Sequence, residues 1–307
     1  NPANWSPSTG YPDYGDDVII NTGSNIPVYE EISGFNDFTI NSGSIDLDGF
    51  TIVIGGTATF NGGTITNGAV NCSGSTSTFA GTVFASGVSL TVNSTNVYLN
   101  GGVFNSSVSI TKSGSGDNSS SGRNIFKTTF SLTNSGSGVV SFATVDPDTF
   151  QQAATFTASG PGLIQLCYTA AGNAFQGNLT FNSTGSSQGI RLGQNGGTAS
   201  LSAGYTISIG GSGFSAGDLR IKNFTQIGST SQSLTLSSAA ALYIESGNTF
   251  NGAVTFSSPN VYLNGASFSS TARLIRPSDS VTGDWNPWWN IQFSQNQKKN
   301  NKPSSVN

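Results

Sequence analysis

Two pairs of carboxylates are spaced for chemistry: Asp146 with Asp148, and Asp46 with Asp48. Residues i and i+2 of an extended strand point the same way. Glycoside hydrolysis uses two carboxyl groups about 5–9.5 Å apart. Pro147 and the lack of nearby Arg, Lys or aromatic subsites weaken the first pair, and the second sits nearer the chain's start. A lyase would want Arg or Lys beside a carboxylate cluster, and the chain has only 11 basic residues. With no histidine there is no Ser-His-Asp arrangement, no Cys-His pair and no histidine metal site. No catalytic residue is assigned, and the expectation is a protein that is not an enzyme. Asp46, Asp48 and the Asp16-Asp17 pair have oxygens suited to calcium. No Gly-Gly-x-Gly-x-Asp array recurs, so no metal site or cofactor is assigned and structural calcium is kept only as a minor alternative.

The elements that would position these residues are short. Stretches such as Phe38-Thr39-Ile40, Phe50-Thr51-Ile52-Val53-Ile54 and Ala58-Thr59-Phe60 alternate apolar and hydroxyl residues between Gly, Asn or Ser. Period-two alternation places one face inward and one outward. No amphipathic helical stretch is present, so the glycines belong to β-corners and not to phosphate-binding loops. Asn61-Gly62-Gly63, Asn67-Gly68, Asn100-Gly101-Gly102 and Asn251-Gly252 are read as tight or left-handed turns, whose stacked asparagines can bond the next turn.

A phenylalanine-led phrase recurs at Phe79, Phe104, Phe126, Phe150 and Phe175, and again at Phe250. The steps run from about 22 to about 25 residues, and the last gap equals three of the longer ones. This beat predicts an all-β, right-handed parallel β-helix, or β-solenoid, of about 25 residues per turn and roughly 11 turns. The phenylalanines then form a stacked ladder. Asn96-Val97-Tyr98-Leu99-Asn100-Gly101 recurs as Asn260-Val261-Tyr262-Leu263-Asn264-Gly265, which suggests a super-repeat of about seven turns. Cys72 and Cys167 lie nearly four repeats apart. At ~4.8 Å per turn that is about 19 Å, beyond the ~7 Å Cα reach of a disulfide. Both are expected to be free, buried thiols.

The chain divides into an N-terminal cap with first strands (1–35), solenoid repeats (36–275), a C-terminal cap or Trp-rich segment (276–295) and a flexible tail or linker (296–307). Trp5, Pro7 and Tyr11 suit a cap over the open first turn, with a ligand site as the rival reading. Trp285, Trp288 and Trp289 read as a second cap or as an exposed aromatic patch. Lys112 to Asn124, containing Arg123, reads as a polar insertion projecting as a loop. These six, Trp5, Lys112, Arg123, Trp285, Trp288 and Trp289, are the candidate interaction residues.

Net charge is −4 with 8% charged residues and no basic stripe, which gives no support to nucleic-acid binding. No run of ~20 apolar residues predicts membrane insertion. No signal peptide is present, and the start at Asn1-Pro2 reads as a processed or excised mature segment. Eight glycosylation sequons occur, at Asn4, Asn71, Asn93, Asn105, Asn118, Asn178, Asn182 and Asn223. Thr57/Thr59 and Thr64/Thr66 hint at outward threonine ranks of the ice-binding kind.

Phrases such as Ile207-Ser208-Ile209-Gly210-Gly211-Ser212-Gly213-Phe214 and Phe250-Asn251-Gly252-Ala253-Val254-Thr255-Phe256 resemble those of long repetitive cell-surface proteins of Bacteroidota. The opening Asn4-Trp5-Ser6, followed by Gly15-Asp16-Asp17-Val18-Ile19-Ile20, is similar to the start of secreted β-helical modules there. The resemblance covers roughly residues 4–275. It implies export to the cell surface or beyond, with the type IX route as the candidate, and it supplies no catalytic residue. The expected role is a rigid extracellular rod, stalk or filament that associates end to end. An adhesin or carbohydrate-binding module with a glycan or cell-surface partner is the main alternative, ahead of a polysaccharide-active enzyme or an ice-binding protein.

Overall fold

The computed structural model describes residues 12–21, 26–27, 32–237, 239–275 and 291–292. The chain coils through three faces in turn, and equivalent strands of successive turns pair in parallel. The first coil strand is Val18–Ile20, paired with Phe38–Ile40. The fold is a parallel β-solenoid. Its second face is one unbroken sheet of 12 strands, from Ile26–Pro27 to Ser267–Phe268. Ile26 and Phe268 lie eleven steps apart on it, which gives a mean of about 22 residues per turn.

The expected turn is thus too long on average, because turn length varies along the rod. Phe84 pairs with Phe104, whereas Phe150 pairs with Phe175, so the later turn is the longer. Phe79 also proves to be out of phase with the column. It lies on the first face, opposite Phe60 and Leu99, while Phe84 is the true partner of Phe104. From Phe104 onward the beat holds. Phe104, Phe126, Phe150 and Phe175 stack with centroids 4.8–4.9 Å apart and planes within 12°. The gap from Phe175 to Phe250 is three turns, with Leu201 and Gln226 occupying the column.

Alternation drives the folding of each strand. Thr51–Ile54 buries Ile52 and Ile54, and Thr57–Phe60 buries Ala58 and Phe60. One continuous apolar core runs from Val18 to Phe268. Corners close by asparagine stacking, as expected: Asn61 Nδ2 donates to Asn41 Oδ1 at 2.8 Å, and Asn41 Nδ2 to Asn21 Oδ1 at 2.7 Å. The Asn96–Leu99 and Asn260–Asn264 phrases lie on the same face, seven turns apart, which matches the super-repeat.

The segment 112–124 is not a projecting loop. Asn118–Ser119 is a first-face strand paired with Val140–Ser141, and Lys112, Asn118, Ser120 and Asn124 are all buried. Here the first face changes from one sheet to another. Val97 N–H donates to Asn118 Oδ1 at 3.1 Å, and Leu99 N–H donates to Ser120 Oγ at 2.9 Å. Side chains take the place of strand carbonyls and carry the coil across the break. A second splice joins the third-face strands Ile207–Phe214 and Gln232–Thr235, where Ile207 N–H donates to Gln232 Oε1 at 2.7 Å.

Gln232 Nε2 also donates to the Tyr205 and Thr230 carbonyls. Gln232→Leu leaves the Ile207 amide without an acceptor, at a cost of about 1–3 kcal/mol. Hydrogen exchange is expected to accelerate at residues 205–209 and 230–234 while the Phe104–Phe175 turns stay protected. Unchanged exchange at Ile207 would show that the splice contributes nothing.

Candidate interaction surfaces

Three members of the two carboxylate pairs, Asp46, Asp146 and Asp148, are held in separate contacts. Asp146 is bound by the exposed Arg123 at 3.0 Å. Asp148 points inward and is buried, with Oδ1 accepting from Asn124 N and Nδ2, both at 2.9 Å. Burial pushes its pKa up to about 7, against the opposing pull of the two Asn124 hydrogen bonds and with a small push from Asp146. The two carboxylates of 146 and 148 therefore face different environments. Asp46 accepts from Asn67 Nδ2 and from Asp48 N–H, which hold its pKa below the ordinary value. That is corner chemistry: Asp48 adopts φ 47° and the turn is closed by its neighbour. Asp16 Oδ2 likewise accepts from the Asp13 amide. Among the described residues no group of three or more His, Cys, Asp or Glu is placed to hold a metal ion.

Of the six candidate interaction residues, Trp5, Trp285, Trp288 and Trp289 lie outside the described residues. Arg123 is exposed and paired with Asp146. Lys112 is a correction. It is fully buried, and its ammonium donates to the Gly114 carbonyl at 2.5 Å, so no partner reaches it. Burial lowers its pKa, and Asp117 opposes that shift. Cys72 and Cys167 are free and buried, as expected; burial pushes the Cys72 thiol to about 12. Among the sequons, Asn118 and Asn182 are buried, so the folded chain offers neither as a glycan acceptor.

Hydroxyl ranks are present, chiefly on a face the sequence did not indicate. Thr39, Thr59 and Thr78 align on the first face and give way to Tyr98. On the third face Thr91, Ser109, Ser131, Thr155, Thr180 and Ser208 form a longer column beside Thr111, Thr133 and Thr157. A shallow groove of about 300 Å³ runs beside that column, lined in part by Ser89, Ser107, Ser109 and Thr129.

The most chemically varied surface was missed from sequence. On the first face Gln165, Arg191, Arg220, Tyr243 and Tyr262 occupy one outward column on successive turns. Arg220 bonds Asp218 at 2.9 Å and Glu245 at 3.5 Å, and its guanidinium carbon lies 3.9 Å from the Tyr243 ring centre. Burial opposes its charge, but Asp218 and Glu245 more than offset that. Tyr243 and Tyr262 stack at 4.5 Å. The signal was available: Leu163-Ile164-Gln165-Leu166, Gly189-Ile190-Arg191-Leu192, Asp218-Leu219-Arg220-Ile221 and Ala241-Leu242-Tyr243-Ile244 share one phase, with the polar or aromatic residue third.

Among the described residues no helix is long and apolar enough to cross a membrane. No protein-family model matches the chain, and searches of curated proteins and of solved structures find no similar protein.

Proposed function

We propose that the chain is a segment of a rigid extracellular rod, serving as a stalk or filament at a cell surface. The observation that carries this reading is the continuity of the core. One apolar column system runs through every described turn, and inward positions are used to stack turns or close corners. Eleven steps at ~4.8 Å give a shaft of about 53 Å. Each turn rests only on its neighbours, so stiffness is distributed along the axis and the ends need covering. The low charge density, with 8% charged residues, is the observation that supports an extracellular setting.

End-to-end association through the N-terminal segment of the sequence, which contains Trp5, and the C-terminal one, which contains Trp285, Trp288 and Trp289, would extend the shaft. Light scattering of the purified chain is expected to rise with concentration, with filaments in electron micrographs. The double variant Trp288→Ala/Trp289→Ala is expected to remain in short particles. Scattering unchanged by that variant would sink end-to-end assembly through the tryptophans. Protease treatment of intact cells is expected to release the chain, and full protection would place it inside the cell. A second reading, an adhesin, is favoured by the column of Arg and Tyr side chains on the first face.

A further inference from the structure

Within the column Gln165, Arg191, Arg220, Tyr243 and Tyr262, every charge but one is compensated. Arg220 has Asp218, Glu245 and the Tyr243 ring. Arg191, its direct register partner, has no acid partner among the described residues. Its Nε is buried without an acceptor, and so are Arg220 Nε and Gln194 Nε2. Three N–H donors on two adjacent turns thus lack acceptors. A partly desolvated guanidinium without a counter-charge attracts an anion more strongly than a fully solvated one. Gly189, two residues before Arg191 on its strand, and Gly193, just past the strand's end, carry no side chain, and the backbone of the next turn at Asp218 and Lys222 packs against them.

We propose that Arg191 anchors a binding site for the carboxylate or sulfate groups of an acidic polysaccharide lying along the first face. The planar guanidinium fork is suited to bidentate capture of such an oxyanion. Tyr243 offers no platform for a neutral sugar, because Tyr262 and Arg220 both lie over its ring and leave its edge and hydroxyl tip for a ligand, while Tyr262 stacks on Tyr243 and stays half-exposed. Gln165 lies next to Arg191 on the other side, so the polar strip follows the rod axis, the direction an extended polymer would take. The net charge of −4 repels polyanions in general, so any attraction must be local. This site is independent of the rod reading, since a rod without ligands would keep its fold.

The test measures binding of the full chain to immobilised polygalacturonate, dextran sulfate and uncharged dextran at low and physiological salt. The two acidic polymers separate carboxylate from sulfate recognition. Expected is salt-sensitive binding to at least one acidic polymer and none to dextran. Arg191→Gln is expected to weaken it by about tenfold or more, the scale of losing one charge-assisted contact. Lys127→Gln, an exposed cation elsewhere, is expected to leave it unchanged. A thermal melt matching the parent establishes that Arg191→Gln is folded. Absent binding, equal binding by folded Arg191→Gln, equal loss in Lys127→Gln, or equal capture by dextran would each overturn the proposal.

Discussion

Asp148→Asn is expected to stabilise the chain by about 4 kcal/mol at pH 8 and to leave it nearly unchanged at pH 4. Asp148 stands in a corner column with Asn124 and Asn173, one position per turn, and the same column continues through Ala199 and Phe224 to Asn248. The asparagines satisfy the corner twice over. Asn173 Oδ1 accepts from Asp148 N at 2.8 Å while its Nδ2 donates to the Ala170 carbonyl at 2.7 Å. Asn248 repeats this, accepting from Phe224 N and donating to Glu245 O. Asp148 reproduces the accepting half through Oδ1, but Oδ2 is buried with no partner. A protonated carboxyl can donate from that oxygen as an amide would, whereas a carboxylate cannot. The pKa raised to about 7 is the thermodynamic expression of that mismatch. An unfolded aspartate titrates near about 3.9. Between about pH 4 and 7 the folded state therefore holds the extra proton, and unfolding free energy falls as pH rises through that window. Above that window the penalty is complete; below it the penalty is absent. The groups around it do not relieve it: Asp146 is another acid, occupied by Arg123, and the Cys167 thiol is held neutral by burial first and by the Asp148 charge second. Denaturant midpoints at pH 4 and pH 8 decide the matter. An asparagine variant with the parent's pH slope would show that Asp148 is not the titrating group.

The alternation of strands, the phenylalanine stack, the asparagine corners and the two free thiols were legible because each depends on local residue type and a repeated spacing. Turn length was not, because the same residue type occupies two faces. Counting one expected repeat from Phe79 reaches Phe104, yet the chain has already passed Phe84, which holds the true position. The loop reading of 112–124 failed for a different reason. Its inward positions are polar, so alternation cannot be seen there, although Lys112-Ser-Gly-Ser-Gly is answered one turn later by Asn134-Ser-Gly-Ser-Gly. The buried Lys112, Asn118 and Ser120 are tolerated because backbone groups left over at the sheet break need partners. The Arg191–Arg220 surface escaped notice because its members are scattered over successive turns, and a charge-poor chain offers no cluster in sequence. Only the register assembles them.

Phe150→Ala is expected to cost about 3–5 kcal/mol and to divide the unfolding of the rod in two. Phe150 lies between Phe126 at 4.8 Å and Phe175 at 4.9 Å, and meets the third-face rings Phe130 at 5.3 Å and Phe156 at 5.8 Å. Its removal weakens two turn-to-turn interfaces and the contacts across the core at once. In a structure where each turn touches only its neighbours, a weak turn in the middle uncouples the halves, because no long-range contact bridges them. Phe268 is the contrasting position. It stacks on Phe250 at 5.6 Å near the last described turn, so its truncation weakens one turn-to-turn interface and not two. Urea unfolding of Phe150→Ala is expected to become broader or biphasic, with a lower apparent m for each phase. Hydrogen exchange is expected to separate the turns before Phe126 from those after Phe175. Phe268→Ala should keep a single transition with a smaller loss. A single sharp transition for Phe150→Ala, displaced by less than about 1 kcal/mol, would mean that backbone pairing and not the aromatic column carries the coupling along the rod.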